Sequence, residues 1–95
     1  MTKVDFELTC ELLHGHGFTV ADSAYDPACF GSWWVSVVHT PPLRIVWDGK
    51  DGWVSVQRAT GERFQGRPSW EDMWVGRARE TQAVELVVSK VQAFS

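Results

Sequence analysis

The 95-residue chain is 44% hydrophobic and 22% charged, the size and balance of one globular domain, which excludes a disordered chain. Its net charge of −3, with five acidic residues against one basic residue in positions 1–30, argues against a nucleic-acid surface and predicts attraction to a basic partner. No apolar run is long enough for a membrane span or a signal peptide. We therefore expect a cytoplasmic protein without a membrane partner, with Cys10 and Cys29 as free, partly buried thiols.

The first predicted element is a helix over residues 4–14. Thr2, with Asp5 three positions later, is a helix start signal because the threonine hydroxyl can accept from a backbone N–H of the first turn. Gly15 is predicted to end the helix, since glycine tolerates the left-handed backbone found after many helices.

Alternation of apolar and polar residues next predicts an antiparallel meander of four to five strands. Turn residues, rich in Gly, Asp and Pro, separate them. The predicted strands cover 18–20, 32–40, 43–48, 53–58 and 63–65, and the predicted turns cover 22–31, 48–52 and 60–62.

Two helical patterns follow Pro68. Trp70, Met73 and Trp74 have i, i+3, i+4 spacing after a start signal at Ser69, which predicts a short helix that ends near Gly76. From Ala83 to Phe94, a stripe of valines at i, i+3, i+4, i+7 predicts a C-terminal helix, although so many valines also suit a strand. We therefore predict a single α+β domain over 1–95, an antiparallel sheet of four to five strands flanked by an N-terminal and a C-terminal helix.

The histidines, cysteines and acidic residues of the sequence lack the partner residues that a metal site or a catalytic site requires. His14, His16 and His39 do not have the spacing of a metal site, and the acidic turn after Trp47 carries Lys50 where a calcium ligand would be needed. Cys10 lies on an apolar helix face without an adjacent base. We predict a non-enzymatic protein with no catalytic residues, metal or cofactor.

Six tryptophans are more than a core of this size requires. Trp33 and Trp34 are adjacent in a strand and must point to opposite faces of the sheet. Trp47 and Trp53 flank one turn and are expected to be close across the hairpin. If the helices cover one face only, the other face carries an aromatic patch of the kind that marks interaction sites. If helices cover both faces, or the rings form structural pairs, no such patch exists.

The stretch from Phe30 to Val35, followed by a hairpin with Trp-Asp-Gly and Asp-Gly-Trp around its turn at 47–53, resembles small immunity proteins of bacterial polymorphic toxin systems. The order of helix, meander and helix is also similar to that of these families. The resemblance implies a stoichiometric inhibitor of a cognate, basic toxin that acts by occlusion. Under this hypothesis the partner-binding residues are exposed acids and aromatics, with Trp34 and Trp53 as the main anchors: Asp26, Trp34, Asp48, Asp51, Trp53 and Trp70.

Two other functions remain open from the sequence. Tryptophans can stack on a flat small molecule or a carbohydrate in a ligand-binding module. An aromatic face can also close a symmetric homodimer, in which case the protein is a self-associating structural subunit.

Overall fold

The computed structural model of the protein describes residues 1–77 and 83–95. Its elements, in order along the sequence, are α1 (Lys3–Gly15), β1 (Val20–Asp26), β2 (Ser32–Val37), β3 (Leu43–Asp48), β4 (Trp53–Phe64), β5 (Arg67–Arg77) and α2 (Ala83–Phe94). The strands form one five-stranded antiparallel sheet in the order β1-β2-β3-β4-β5. The predicted α+β fold class, with one helix before the sheet and one after it, is confirmed. Neither described helix has the length and apolar character needed to cross a membrane.

Helix α1 begins as its sequence predicts. The Asp5 backbone N–H donates to Thr2 Oγ1 at 3.3 Å, and the Thr2 backbone N–H donates to Asp5 Oδ2 at 2.6 Å, so each residue caps the other. The prediction that the helix ends with a left-handed backbone at Gly15 is wrong. Gly15 is still helical, and the residue with a positive φ, 87°, is Gly17. The backbone N–H of Phe18 then returns to the carbonyl of Leu13 at 2.9 Å, which closes the helix end.

Both helices cover the same face of the sheet. Strands β2, β3 and β4 alternate between buried and half-buried residues, and each buried residue points toward the helices. The valine stripe of α2 is buried as predicted, at Val84, Val87, Val88 and Val91. The core that results contains Leu13, Trp33, Val35, Val37, Leu43, Ile45, Trp47, Val54, Val56, Val87, Val88 and Val91.

The segment after Pro68 is a strand, so the predicted helix there is wrong. Strand β5 pairs with β4 through Ala59↔Trp70 and Val56↔Trp74, and a bulge between these pairs leaves Met73 as an extra residue. Directly opposed residues of antiparallel strands point to the same face, so the bulge sends Trp70 and Trp74 to opposite faces. Trp74 packs against the core, and Trp70 lies on the side away from the helices.

The first two strands have different limits from those predicted. β1 extends to Asp26 through residues expected to be a turn, because Asp22 to Asp26 pair with β2. β2 ends at Val37, before the predicted limit of Thr40. The predicted turn at 60–62 lies inside β4 as an irregularity of the β4–β5 pairing, and the hairpin continues to Phe64.

The loops at one end of the sheet fit closely. Gly49, in the β3–β4 loop, lies against the β1–β2 loop, where a Cβ at position 49 would be 2.1 Å from the carbonyl oxygen of Phe30. The Gly49 backbone N–H donates to Ser32 Oγ at 2.9 Å. Phe30 has a φ of 56°, a left-handed conformation that a bulky residue rarely adopts. These contacts hold two neighbouring turns together.

Candidate functional site

The face of the sheet away from the helices, here called the open face, is the candidate site. Its residues are half-buried or exposed, and no other element of the described ranges packs on it. Register places residues from all five strands there: Asp22, Ala24 and Asp26 from β1, Ser32, Trp34 and Ser36 from β2, Arg44, Val46 and Asp48 from β3, Trp53, Ser55, Gln57 and Ala59 from β4, and Trp70, Asp72, Val75 and Arg77 from β5.

A polar row crosses the open face from edge to edge. Its members are directly opposed from strand to strand, in the order Asp22, Ser36, Arg44, Gln57 and Asp72. Arg44 Nε donates to Gln57 Oε1 at 2.6 Å, and Gln57 Nε2 donates to Asp72 Oδ1 at 2.8 Å. The amide of Gln57 therefore links a cation on β3 to an anion on β5 and fixes the position of both.

A mainly apolar row, interrupted by one serine, runs beside the polar one. Trp34, Val46, Ser55 and Val75 follow one another across β2 to β5. Trp34 and Val46 are half-buried and Val75 is 46% exposed, so solvent reaches apolar surface in the middle of the sheet. Such surface is what a partner protein can remove from water.

On the open face, two tryptophans each have an arginine guanidinium stacked on the indole ring. Arg44 Cζ lies 4.2 Å from the ring centroid of Trp70, and Arg77 Cζ lies 4.2 Å from that of Trp53. These are cation–π contacts, which restrain the rings and the guanidinium groups together. Trp53 is 40% exposed at the end of the face nearest the β3–β4 turn, and Trp70 is half-buried at the opposite end.

The three aromatic residues predicted to bind a partner lie on this one face. Trp34 and Trp53 reach it by strand alternation, and Trp70 reaches it through β5. The other three tryptophans, Trp33, Trp47 and Trp74, belong to the core or pack against it. Trp47 and Trp53 do not pair across their hairpin as expected. Trp47 is opposed to Val54 in the core, and Trp53 is opposed to Asp48 on the open face.

The three predicted acidic residues cluster at the Trp53 end of the sheet, but two of them already accept local hydrogen bonds. Asp48 Oδ1 accepts from the backbone N–H of Lys50 at 3.0 Å and of Asp51 at 3.2 Å. Asp26 Oδ1 accepts from the backbone N–H of Ala28 at 3.0 Å. These two carboxylates shape turns. Asp51 is exposed within the β3–β4 turn.

A groove of about 460 Å³ lies at the opposite end of the open face. The indoles of Trp34 and Trp70 line it, together with Arg44, Arg67 and Asp22. Burial lowers the pKa of the Arg44 guanidinium, and the charge of Asp72 raises it in part. Arginine remains protonated in proteins near neutral pH, so the groove contains a half-buried positive charge.

Sequence reasoning missed Arg44, Gln57, Asp72 and Arg77 as site residues. They lie on three different strands, β3, β4 and β5, and only the register of the sheet brings them together. A signal was present in the polar residues that alternate with Leu43, Ile45 and Trp47, since a half-buried charge beside a core row is unusual.

Histidines and cysteines do not join the site. Within residues 1–77 and 83–95, no group of three His, Cys, Asp or Glu residues has the arrangement of a metal centre. Cys10 is half-buried on α1, where burial raises the pKa of its thiol, and Cys29 is exposed in the β1–β2 loop. Both thiols are free, as predicted, and the predicted partial burial is confirmed for Cys10 but wrong for Cys29.

The protein matches no protein-family model, no characterised protein and no solved structure.

Proposed function

We propose that this protein is a stoichiometric protein-binding inhibitor, an immunity protein that neutralises a cognate bacterial toxin by covering its active surface. The observation that carries the proposal is the open face, where Trp34, Trp53 and Trp70 share one side of a sheet that no described element covers. Tryptophan and arginine are the residue types most enriched among the energetically dominant residues of protein interfaces.

The shape of the face favours a protein partner over a carbohydrate. A sugar-binding platform offers a free indole face, whereas one face of Trp53 and one face of Trp70 are each occupied by a guanidinium. A broad, shallow surface that carries aromatic and arginine residues among polar and acidic ones has the composition of a protein interface.

Charge supports a basic partner. The net charge is −3, and β1 at the edge of the open face adds Asp22 and Asp26 to the exposed Asp51. Negative potential of this kind accelerates association with a basic toxin, and the aromatic residues then contribute most of the affinity.

The first experiment is capture of partners by the tagged protein from a lysate of its source organism, followed by mass spectrometry. A captured partner supports the proposal only if it is toxic when expressed alone and if co-expression of this protein restores growth. Recovery of the tagged protein alone from a lysate known to contain the toxin, together with a dimer by light scattering, would replace the proposal with the self-associating subunit.

The face is tested by Trp53→Ala. Removal of this indole is expected to weaken toxin binding by about 2 kcal/mol or more, roughly 30-fold, without unfolding, because Trp53 lies outside the core. Leu86→Ala is the matched control, since Leu86 is 47% exposed but lies on α2, in the helix layer. Calorimetry measures both affinities and circular dichroism checks both folds. Equal affinities for the two variants would move the interface away from the open face.

A further inference from the structure

The groove between Trp34 and Trp70 contains a charged donor group with unused hydrogen-bonding capacity. Arg44 has five N–H donors, and Nε is the one that donates to Gln57. Among the described residues, Arg44 has a hydrogen bond from Nε to Gln57 and none from either Nη group. A half-buried guanidinium has lost part of its hydration, so an acceptor supplied by a ligand gains more here than on an exposed arginine.

The surroundings hold Arg44 in a fixed position. The ring of Trp70 lies against the guanidinium at 4.2 Å, and Gln57 restrains Nε at 2.6 Å. Gln57 is itself held by Asp72 at 2.8 Å. A guanidinium positioned in advance forms paired hydrogen bonds to a planar acceptor at a lower cost in conformational entropy than a mobile one.

The charges around the groove select a single negative charge. Arg44 and Arg67 line it, but Asp22 lines it as well, with its Oδ1 bound to the backbone N–H of Ser23 at 2.9 Å. Asp72 lies at the next position of the polar row, opposite Gln57. These two acids repel a phosphate dianion more strongly than a carboxylate, so the groove suits a monovalent planar anion.

We propose that the groove is a carboxylate-binding site, in which Arg44 holds a carboxylate of the partner protein by paired hydrogen bonds while Trp34 and Trp70 enclose the aliphatic part of the same residue. The inference rests on the proposed function only in that the carboxylate belongs to a protein. The carboxylate comes from an aspartate or glutamate of the partner, or from its free C-terminus.

Small probes test the groove without the partner. N-acetylglutamate α-amide presents only its γ-carboxylate, and N-acetylglutamine presents only its terminal carboxylate. N-acetylglutamine amide is the neutral match, and inorganic phosphate is the dianion. Each is titrated into ¹⁵N-labelled protein while the indole signals of Trp34 and Trp70 and the Arg44 Nε signal are followed by NMR. The indole of Trp53, at the far end of the face, is the internal reference.

We expect saturable shifts at the groove with at least one carboxylate probe, and binding at least about tenfold weaker for the neutral amide. The tighter of the two carboxylate probes identifies the source. Shifts that are equal for the amide, shifts as large at Trp53, no shifts with any probe, or tighter binding of phosphate would each overturn the proposal.

Arg44→Gln should lower the affinity of the protein for the carboxylate probe by at least about tenfold. Lys90→Gln, which removes a cation that lies over the Trp74 ring on the helix side of the sheet, should leave the affinity for the carboxylate probe unchanged. The comparison of the four probes on the unmodified protein decides the proposal even if Arg44→Gln fails to fold. If Arg44→Gln still binds the toxin and the carboxylate probes cause no NMR shifts, the groove is not a carboxylate-binding site. The proposed function is then unaffected. Absence of any toxin partner would refute the function while the probes still decide the groove.

Discussion

Replacement of Gly49 by alanine tests how the two loops at the Trp53 end of the sheet fit together. The added Cβ would lie 2.1 Å from the carbonyl oxygen of Phe30, 2.9 Å from its carbonyl carbon and 3.2 Å from the backbone nitrogen of Ser32. All three are backbone atoms, so no rotamer change relieves the clash. The loops must separate by about 1 Å, as in an overpacked core.

The expected cost follows from two contributions. Overpacking that forces backbone movement costs about 1–3 kcal/mol. The same movement stretches the 2.9 Å hydrogen bond from the Gly49 N–H to Ser32 Oγ, which contributes about 0.5–1.5 kcal/mol. We expect the free energy of unfolding to fall by about 2–4 kcal/mol and Tm to fall by about 10–20 °C for a domain of this size.

Urea denaturation followed by tryptophan fluorescence measures the change. Gly15→Ala is the matched control, because Gly15 also lacks a positive φ and a Cβ there meets no atom within 4 Å. We expect the control to leave the free energy of unfolding unchanged or to raise it by up to about 1 kcal/mol, because alanine restricts the unfolded chain and suits a helix. If Gly49→Ala is no more destabilising than Gly15→Ala, the loops do not approach each other this closely in solution.

Two further predictions concern the same loop and the thiols. Phe30→Gly should raise the free energy of unfolding by about 0.5–1 kcal/mol, because a φ of 56° is strained for phenylalanine and the residue is 66% exposed. Thermal denaturation measures the change, and a loss of stability would show that the ring is buried. Because burial raises the pKa of Cys10, its ionisation favours the unfolded state, so stability attributable to this thiol falls as pH rises above about 8.5. Alkylation near pH 8 should modify the exposed Cys29 well before Cys10, and equal rates would contradict the packing of α1.

Much of the fold could be predicted from the sequence because its patterns are local. The start of α1 depends on two residues three positions apart, and the buried side of α2 depends on four valines with helical spacing. Strands β3 and β4 begin at the predicted residues because Pro41-Pro42 and the Asp-Gly turn mark their limits.

The prediction of a helix in the segment that forms β5 was wrong for a specific physical reason. A helix places i and i+4 on one face, and an unbroken strand does the same with i and i+4. The extra residue at Met73 instead places Trp70 and Trp74 on opposite faces of the sheet. It also interrupts the alternation of apolar and polar residues that would have indicated a strand. Pairing with the long β4 strand outweighs the helical spacing, and nothing within residues 69–76 signals that pairing.

The candidate site could be predicted only in part for the same reason. Trp34 and Trp53 follow from alternation along single strands. The contact between Arg44 and Trp70 joins β3 to β5 across β4, so it depends on two registers and one bulge at once. A single sequence determines none of these three directly.

The sequential strand order has a consequence for synthesis of the protein. Every strand pairs only with its neighbours in sequence, so each hairpin can form soon after it leaves the ribosome. The core-facing side of the sheet cannot be sealed at that stage, because α2, which packs on the sheet and against α1, follows all five strands in the sequence. A nascent polypeptide therefore exposes the apolar rows of β2 to β4 until α2 has left the ribosome, which is the interval in which chaperones protect such surfaces.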